Sequence, residues 1–152
     1  MSNPNVSLKE FWPVMKEVIE SGGEFTFYPH GTSMMPLIRE GVDQVVLVKA
    51  DNIKKGDAVF YLRDNGQFVL HRVVKIKNGE YVMCGDNQVA LEYGITDSHI
   101  LAKMKAVLRD GTIVDETNKK YKKYVKGLGR RRFKKRVRSF LGRIKRRIIK
   151  KK

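Results

Sequence analysis

The sequence has little of what marks secreted, membrane-spanning or metal-dependent proteins. Its single cysteine, Cys84, leaves no partner for an internal disulfide. Beside apolar neighbours it reads as a small buried thiol rather than a reactive one. No run of about 18 or more apolar residues occurs, so no transmembrane helix is expected. The opening Met1-Ser2-Asn3-Pro4-Asn5 lacks the basic and apolar regions of a signal peptide. The expected location is therefore cytoplasmic, or peripheral at a membrane surface. Three scattered histidines and one cysteine lack metal-ligand spacing, and no phosphate-cradling glycine motif is present. No metal and no cofactor are expected.

Acid is missing from one whole end of the chain. Residues 1–118 hold 13 Lys/Arg against 16 Asp/Glu, a net −3, whereas residues 119–152 hold 19 Lys/Arg and no Asp or Glu. The basic character of the chain belongs to its last segment, and such asymmetry calls for a polyanionic partner. Phe133, Val137, Phe140, Leu141, Ile144 and Ile148 recur there at helical spacing with Lys and Arg between them. That is the pattern of a basic amphipathic helix lying on a membrane. Each basic residue near an anionic leaflet contributes on the order of 1 kcal/mol. Residues 119–152 are therefore assigned an anionic membrane surface as partner. Nucleic acid is the less favoured polyanion, since phosphate tracking needs no regular apolar stripe. Gly127, Gly129 and Gly142 are expected to weaken a continuous helix.

Ahead of this segment the chain divides in two. Ser7 to Ser21 reads as a helix, with Ser7 as its cap, Glu10 at the capping-box position and Gly22-Gly23 as its stop. Leu8, Phe11, Trp12, Met15, Val18 and Ile19 form its apolar face, suited to packing on a sheet. Pro13 is expected near its first turn. From Glu24 the pattern turns to short strands: Phe25–Tyr28, Gln44–Lys49, Asp57–Arg63, Gln67–Lys77, Glu80–Cys84, Ile100–Leu108 and Thr112–Val114. Asn65-Gly66, Asn78-Gly79 and Asp110-Gly111 are hairpin turns between them. The expected fold is mainly β, an antiparallel and partly closed structure with an N-terminal helix and a basic C-terminal helix. The expected divisions are residues 1–23, 24–116 and 117–152.

Two motifs carry chemistry. Gly31-Thr32-Ser33-Met34-Met35-Pro36 presents a serine on a glycine-bounded turn, and His71 follows in the apolar run Val69-Leu70-His71-Arg72. Serine needs a neighbouring base to react near neutral pH, and histidine is the usual one. Gly56-Asp57 opens the intervening strand, and Gly85-Asp86-Asn87 closes the series. His30 lies too close to Ser33 in sequence to serve easily as base. His99, ahead of an apolar strand, reads as a surface residue.

In that order these motifs resemble the type I signal peptidase and LexA-like serine peptidase superfamily, over residues 25 to 108. Gly31, Ser33, Met34 and Pro36 match its Gly-x-Ser-Met-x-Pro. Gly41-Val42-Asp43 loosely matches a Gly-Asp, and Gly56-Asp57 matches a second. His71-Arg72 matches the histidine-base branch of endoplasmic-reticulum and sporulation type, where other members carry lysine. Gly85, Asp86 and Asn87 match the closing Gly-Asp-Asn. The resemblance implies a serine endopeptidase in which Ser33 attacks and His71 is the general base. An acid seven positions after Gly85, Glu92, would be the third member, with Asp86 the rival or a structural residue. It implies that the Ser33 amide stabilises the oxyanion, that Gly31 permits the tight turn, and that Met34 shapes the pocket. Arg72 is expected on the opposite strand face in a structural pairing, and Asp57 is expected to serve the fold. An extended peptide or protein segment is the implied substrate. A self-cleaving regulatory protein and a non-catalytic peptide-binding adaptor with a polyanion-binding tail are the alternatives.

Overall fold

The computed structural model describes residues 8–149, with side chains described through residue 146; the expected cap Ser7 and the side chain of Ile148 lie outside these. Helix α1 (Leu8–Glu20) ends where expected: Gly22, at φ 84°, donates to the Ile19 carbonyl and Gly23 donates to that of Val18. Pro13 sits at its sixth residue, one turn deeper than expected. Met15 and Ile19 are buried from this helix, and Leu8 and Trp12 pack against the same core. Phe11 stays exposed.

Eight antiparallel strands follow: β1 (Phe25–Phe27), β2 (Gln44–Val48), β3 (Ala58–Leu62), β4 (Phe68–Lys77), β5 (Glu80–Cys84), β6 (Glu92–Ile95), β7 (Ile100–Arg109) and β8 (Thr112–Asp115). The sheet runs β1-β2-β7-β3-β4-β5-β6 and does not close, with β8 on β7 beside this path. Seven of these strands match the sequence expectation; β6 does not figure in it. The turns explain the pairing. Asn78-Gly79 and Asp110-Gly111 each place both residues at positive φ, the twist that suits a two-residue hairpin. Asp64-Asn65-Gly66 instead makes a three-residue loop, with Gly66 at φ 81° and Arg63 donating to the Gln67 carbonyl.

Alternation along β3 sorts the sheet into two apolar clusters. Ala58 and Phe60 join the larger one beneath α1, whereas Val59 and Tyr61 join a smaller one with Val73, Met83 and Ile95. The pairs Val59 with His71 and Tyr61 with Val69 set His71 diagonally next to Tyr61. Asp43 is fully buried between Arg39 and Arg109, whose guanidinium groups lie 2.7 Å from it. Burial alone would raise its pKa, but these bonds hold it well below the ordinary aspartate value.

The basic segment corrects the expectation of a weakened helix. Helix α2 runs unbroken from Lys119 to Ile149, through all three glycines. Packing offsets their cost at its start: Leu128 is buried, and Tyr121 and Tyr124 pack against the larger core.

Candidate active site

Gly31, at φ 93°, turns the chain ahead of Ser33, and its amide donates to Glu40 Oε1 at 2.6 Å. Met34 anchors the turn in the core. The Met35-Pro36 peptide is cis. The turn is clamped from across the molecule by the Gly85-Asp86-Asn87 loop. The Asn87 amide donates to the Ser33 carbonyl at 2.8 Å, and Asn87 Nδ2 donates to that of Thr32 at 3.1 Å. Gly85 approaches so closely that a Cβ there would meet the Ser33 carbonyl oxygen at 2.7 Å and Gln88 Oε1 at 2.9 Å. This closing motif therefore holds the serine turn in place.

Ser33 and His71 line one cleft of about 410 Å3. Its apolar wall includes Phe27, Phe60, Phe68, Leu70 and Ile38, and Arg63, Gln67 and Gln88 add polar groups. The aromatic wall is well supported: Phe60 stacks on Phe68 at 5.7 Å, and Trp12 lies about 6 Å from both. His30 also borders the cleft, but its side chain is 80% exposed and lies 3.9 Å from Glu40.

His71 is nearly covered, and its Nδ1 faces two groups. Tyr61 Oη is 3.3 Å from it and Glu92 Oε2 is 3.9 Å from it. Tyr61 lends its one proton to Glu92 Oε2 at 2.7 Å, so its oxygen can only accept from the ring. The proton of neutral His71 therefore belongs on Nδ1, which leaves Nε2 with its lone pair. Among the described residues Nε2 makes no hydrogen bond.

Glu92 Oε2 lies near Nδ1 without a hydrogen bond to it, and Tyr61 Oη lies against both groups. Arg63 grips the same carboxylate at 2.7 and 2.6 Å. Burial would raise the Glu92 pKa, but the bonds from Arg63 and Tyr61 prevail and hold it below the ordinary value. Burial lowers the His71 pKa to about 4, only partly opposed by Glu92, with Arg63 adding to the decrease. Tyr61 is pushed well up, by burial and by its bond to Glu92.

Asp86 lies elsewhere. Its side chain is fully buried and takes two bonds from Arg72, at 2.8 and 2.7 Å, and a third from Tyr124 of α2 at 3.1 Å. Arg72 also donates to the Gly56 carbonyl and to Tyr121. The geometry thus gives Asp86 to the structural ion pair of Arg72, on the strand face opposite His71. Asp57 likewise serves its turn, accepting from the Lys54 amide. Cys84 is buried and free, and burial pushes its thiol pKa up. His99 lies half-buried at the surface, bonded through Nδ1 to Thr96 and through Nε2 to the exposed Asp64.

Tyr61, Arg63 and Asn87 are the site residues whose parts the sequence did not disclose. Asn87 stood inside a quoted motif, yet its clamping of the serine turn appears only in three dimensions. Tyr61 and Arg63 had no signal beyond lying on a strand.

No curated protein matches the chain. A sequence model of the family described as Peptidase S24-like matches residues 3–105, which take in the serine turn, the histidine strand and Glu92. With more than half of its length so matched, and an open antiparallel sheet of the expected kind, the chain belongs to the Peptidase S24-like family.

Proposed function

We propose that the protein is a serine endopeptidase that acts on extended segments of polypeptide, with Ser33 as nucleophile and His71 as general base. One observation carries the reading. Ser33 and a buried histidine border the same cleft, and Tyr61, which donates to Glu92, is placed to accept from Nδ1 and so leave Nε2 free to take a proton. Ser33 Oγ attacks the peptide carbonyl while His71 Nε2 takes its proton. The tetrahedral intermediate collapses to an acyl-enzyme as Nε2 returns that proton to the departing amine. Water, deprotonated by the same nitrogen, then releases the acid product.

Tyr61 and Glu92 act on the base rather than on the substrate. The chain from Nδ1–H through Tyr61 to Glu92 orients the ring and shares the positive charge that appears when Nε2 is protonated. The Ser33 amide donates to nothing among the described residues, so it is available to the oxyanion; Gly31 supplies no hydroxyl to help it. The aromatic wall favours a substrate with an apolar side chain near the bond that is cut.

Labelling with a serine-reactive fluorophosphonate tests the reading. Wild type should be labelled, and Ser33→Ala and His71→Ala should fall to background while keeping the wild-type circular dichroism. Labelling that survives Ser33→Ala, or none in wild type, would overturn it and favour a peptide-binding adaptor.

A further inference from the structure

Helix α2 has two faces with different fates. Tyr121, Tyr124, Leu128 and Lys135 lie on one side of it and meet the sheet domain: the first three through the core and the Arg72–Asp86 pair, and Lys135 through the Asn87 carbonyl and side chain. Arg136 adds a bond to the Val89 carbonyl. Beyond Arg136 no hydrogen bond or ion pair joins the described part of the helix to the sheet domain.

Phe133, Val137, Phe140, Leu141 and Ile144 are all exposed, from 39% at Ile144 to 67% at Phe133. At about 100° of rotation per residue this stripe lies roughly 170° from the docked face. The domain therefore cannot fold over it while the tyrosines hold their places. Lys134, Arg138 and Lys145 border the stripe on one side and Arg136 and Arg143 on the other, and residues 119–152 contain no acid.

We propose that this outward face of α2 is an interfacial membrane anchor that seats the domain on an anionic lipid bilayer. The apolar stripe enters the level between headgroups and acyl chains, and the flanking cations reach lipid phosphates. Charge complementarity selects an anionic leaflet. The contiguous apolar stripe selects a bilayer over nucleic acid, whose phosphates would be met by the cations alone.

The test is co-sedimentation of the full chain with vesicles at near-physiological salt. One set contains equal parts phosphatidylglycerol and phosphatidylcholine, the other phosphatidylcholine alone. The variant Phe140→Gln/Leu141→Gln keeps every charge and a good helix former at both positions. Wild type should bind the anionic vesicles and not the neutral ones. The double variant should bind the anionic vesicles about 30-fold more weakly at unchanged helix content, given the usual value of two partly inserted side chains. Equal binding of variant and wild type would overturn the proposal in favour of a simple polyanion tether. Tighter binding to duplex DNA than to vesicles, unaffected by the double variant, would assign the helix to nucleic acid instead. A wild-type dimer without vesicles that the double variant dissolves would assign the stripe to a second copy. None of these results bears on labelling of Ser33, so the two readings stand or fall separately.

Discussion

Replacing Tyr61 by Phe separates the orienting chain from the rest of the site. The ring of Tyr61 is fully buried between Val59, Val73 and Met83 and is not part of the cleft wall, so Phe keeps the packing and leaves the substrate surface untouched. Glu92 stays held by Arg63 at 2.7 and 2.6 Å. Only the oxygen that touches both Nδ1 and Glu92 is removed. In the resting protein this removes the acceptor of a buried N–H, a loss of about 1–3 kcal/mol that will appear as reduced stability. A bond to a charged ring is about twice as strong as one to a neutral ring, so the transition state loses about 1–2 kcal/mol more than the ground state, or about 5–30-fold in kcat. KM should not move. Steady-state kinetics on an apolar peptide, or the rate of fluorophosphonate labelling, gives the first number and thermal unfolding the second. A variant with a lower melting temperature and a labelling rate within twofold of wild type would refute the relay and leave Tyr61 as packing alone.

Three further outcomes are expected. The pH dependence of labelling should have its acid limb near pH 4, where the buried His71 titrates, and stay flat through neutrality; a limb at the ordinary value of 6.5 would mean that the ring is solvated. The same lowered pKa makes the native state bind the proton less well than the unfolded chain. Stability should therefore fall as pH drops from 6.5 to about 4, by up to about 3 kcal/mol, in urea titrations of wild type but not of His71→Gln. Gly85→Ala should force the Ser33 carbonyl aside, and a displacement near 1 Å lowers kcat on the order of 100-fold while the fold survives by circular dichroism. Arg72→Met should leave Asp86 buried without its cation and lower unfolding free energy by about 3–5 kcal/mol, measured by denaturant titration; a loss within 1 kcal/mol would show that Tyr124 and water suffice.

What could be read from the chain in advance was local. Asn78-Gly79 and Asp110-Gly111 announce hairpins because a two-residue turn is decided by those two residues, and with them came seven of the strands. Gly31, Ser33, His71 and Gly85-Asp86-Asn87 were legible because each motif is short and their order is a property of sequence. Strand β6 escaped because Glu92-Tyr93-Gly94-Ile95 is an edge strand, paired only to β5, with a glycine at φ 80° and little apolar alternation.

Which of Glu92 and Asp86 lies near His71 was a matter of tertiary structure. Adjacent residues on β4 face opposite ways, so His71 turns to Tyr61 and Glu92 while Arg72 takes Asp86. The register of β3 against β4, a cross-strand property, put a tyrosine against both His71 and Glu92. Helix α2 is the same lesson in helical form. Its charge and apolar stripe were plain in the sequence. The packing that supports it past Gly127 and Gly129, and the opposition of its two faces, depend on Tyr121, Tyr124 and Leu128 finding the sheet. Sequence determined which groups were present and how the chain would turn nearby. Packing and strand register determined which of them meet, because contacts between distant segments are set by the burial of whole faces rather than by any residue's own preference.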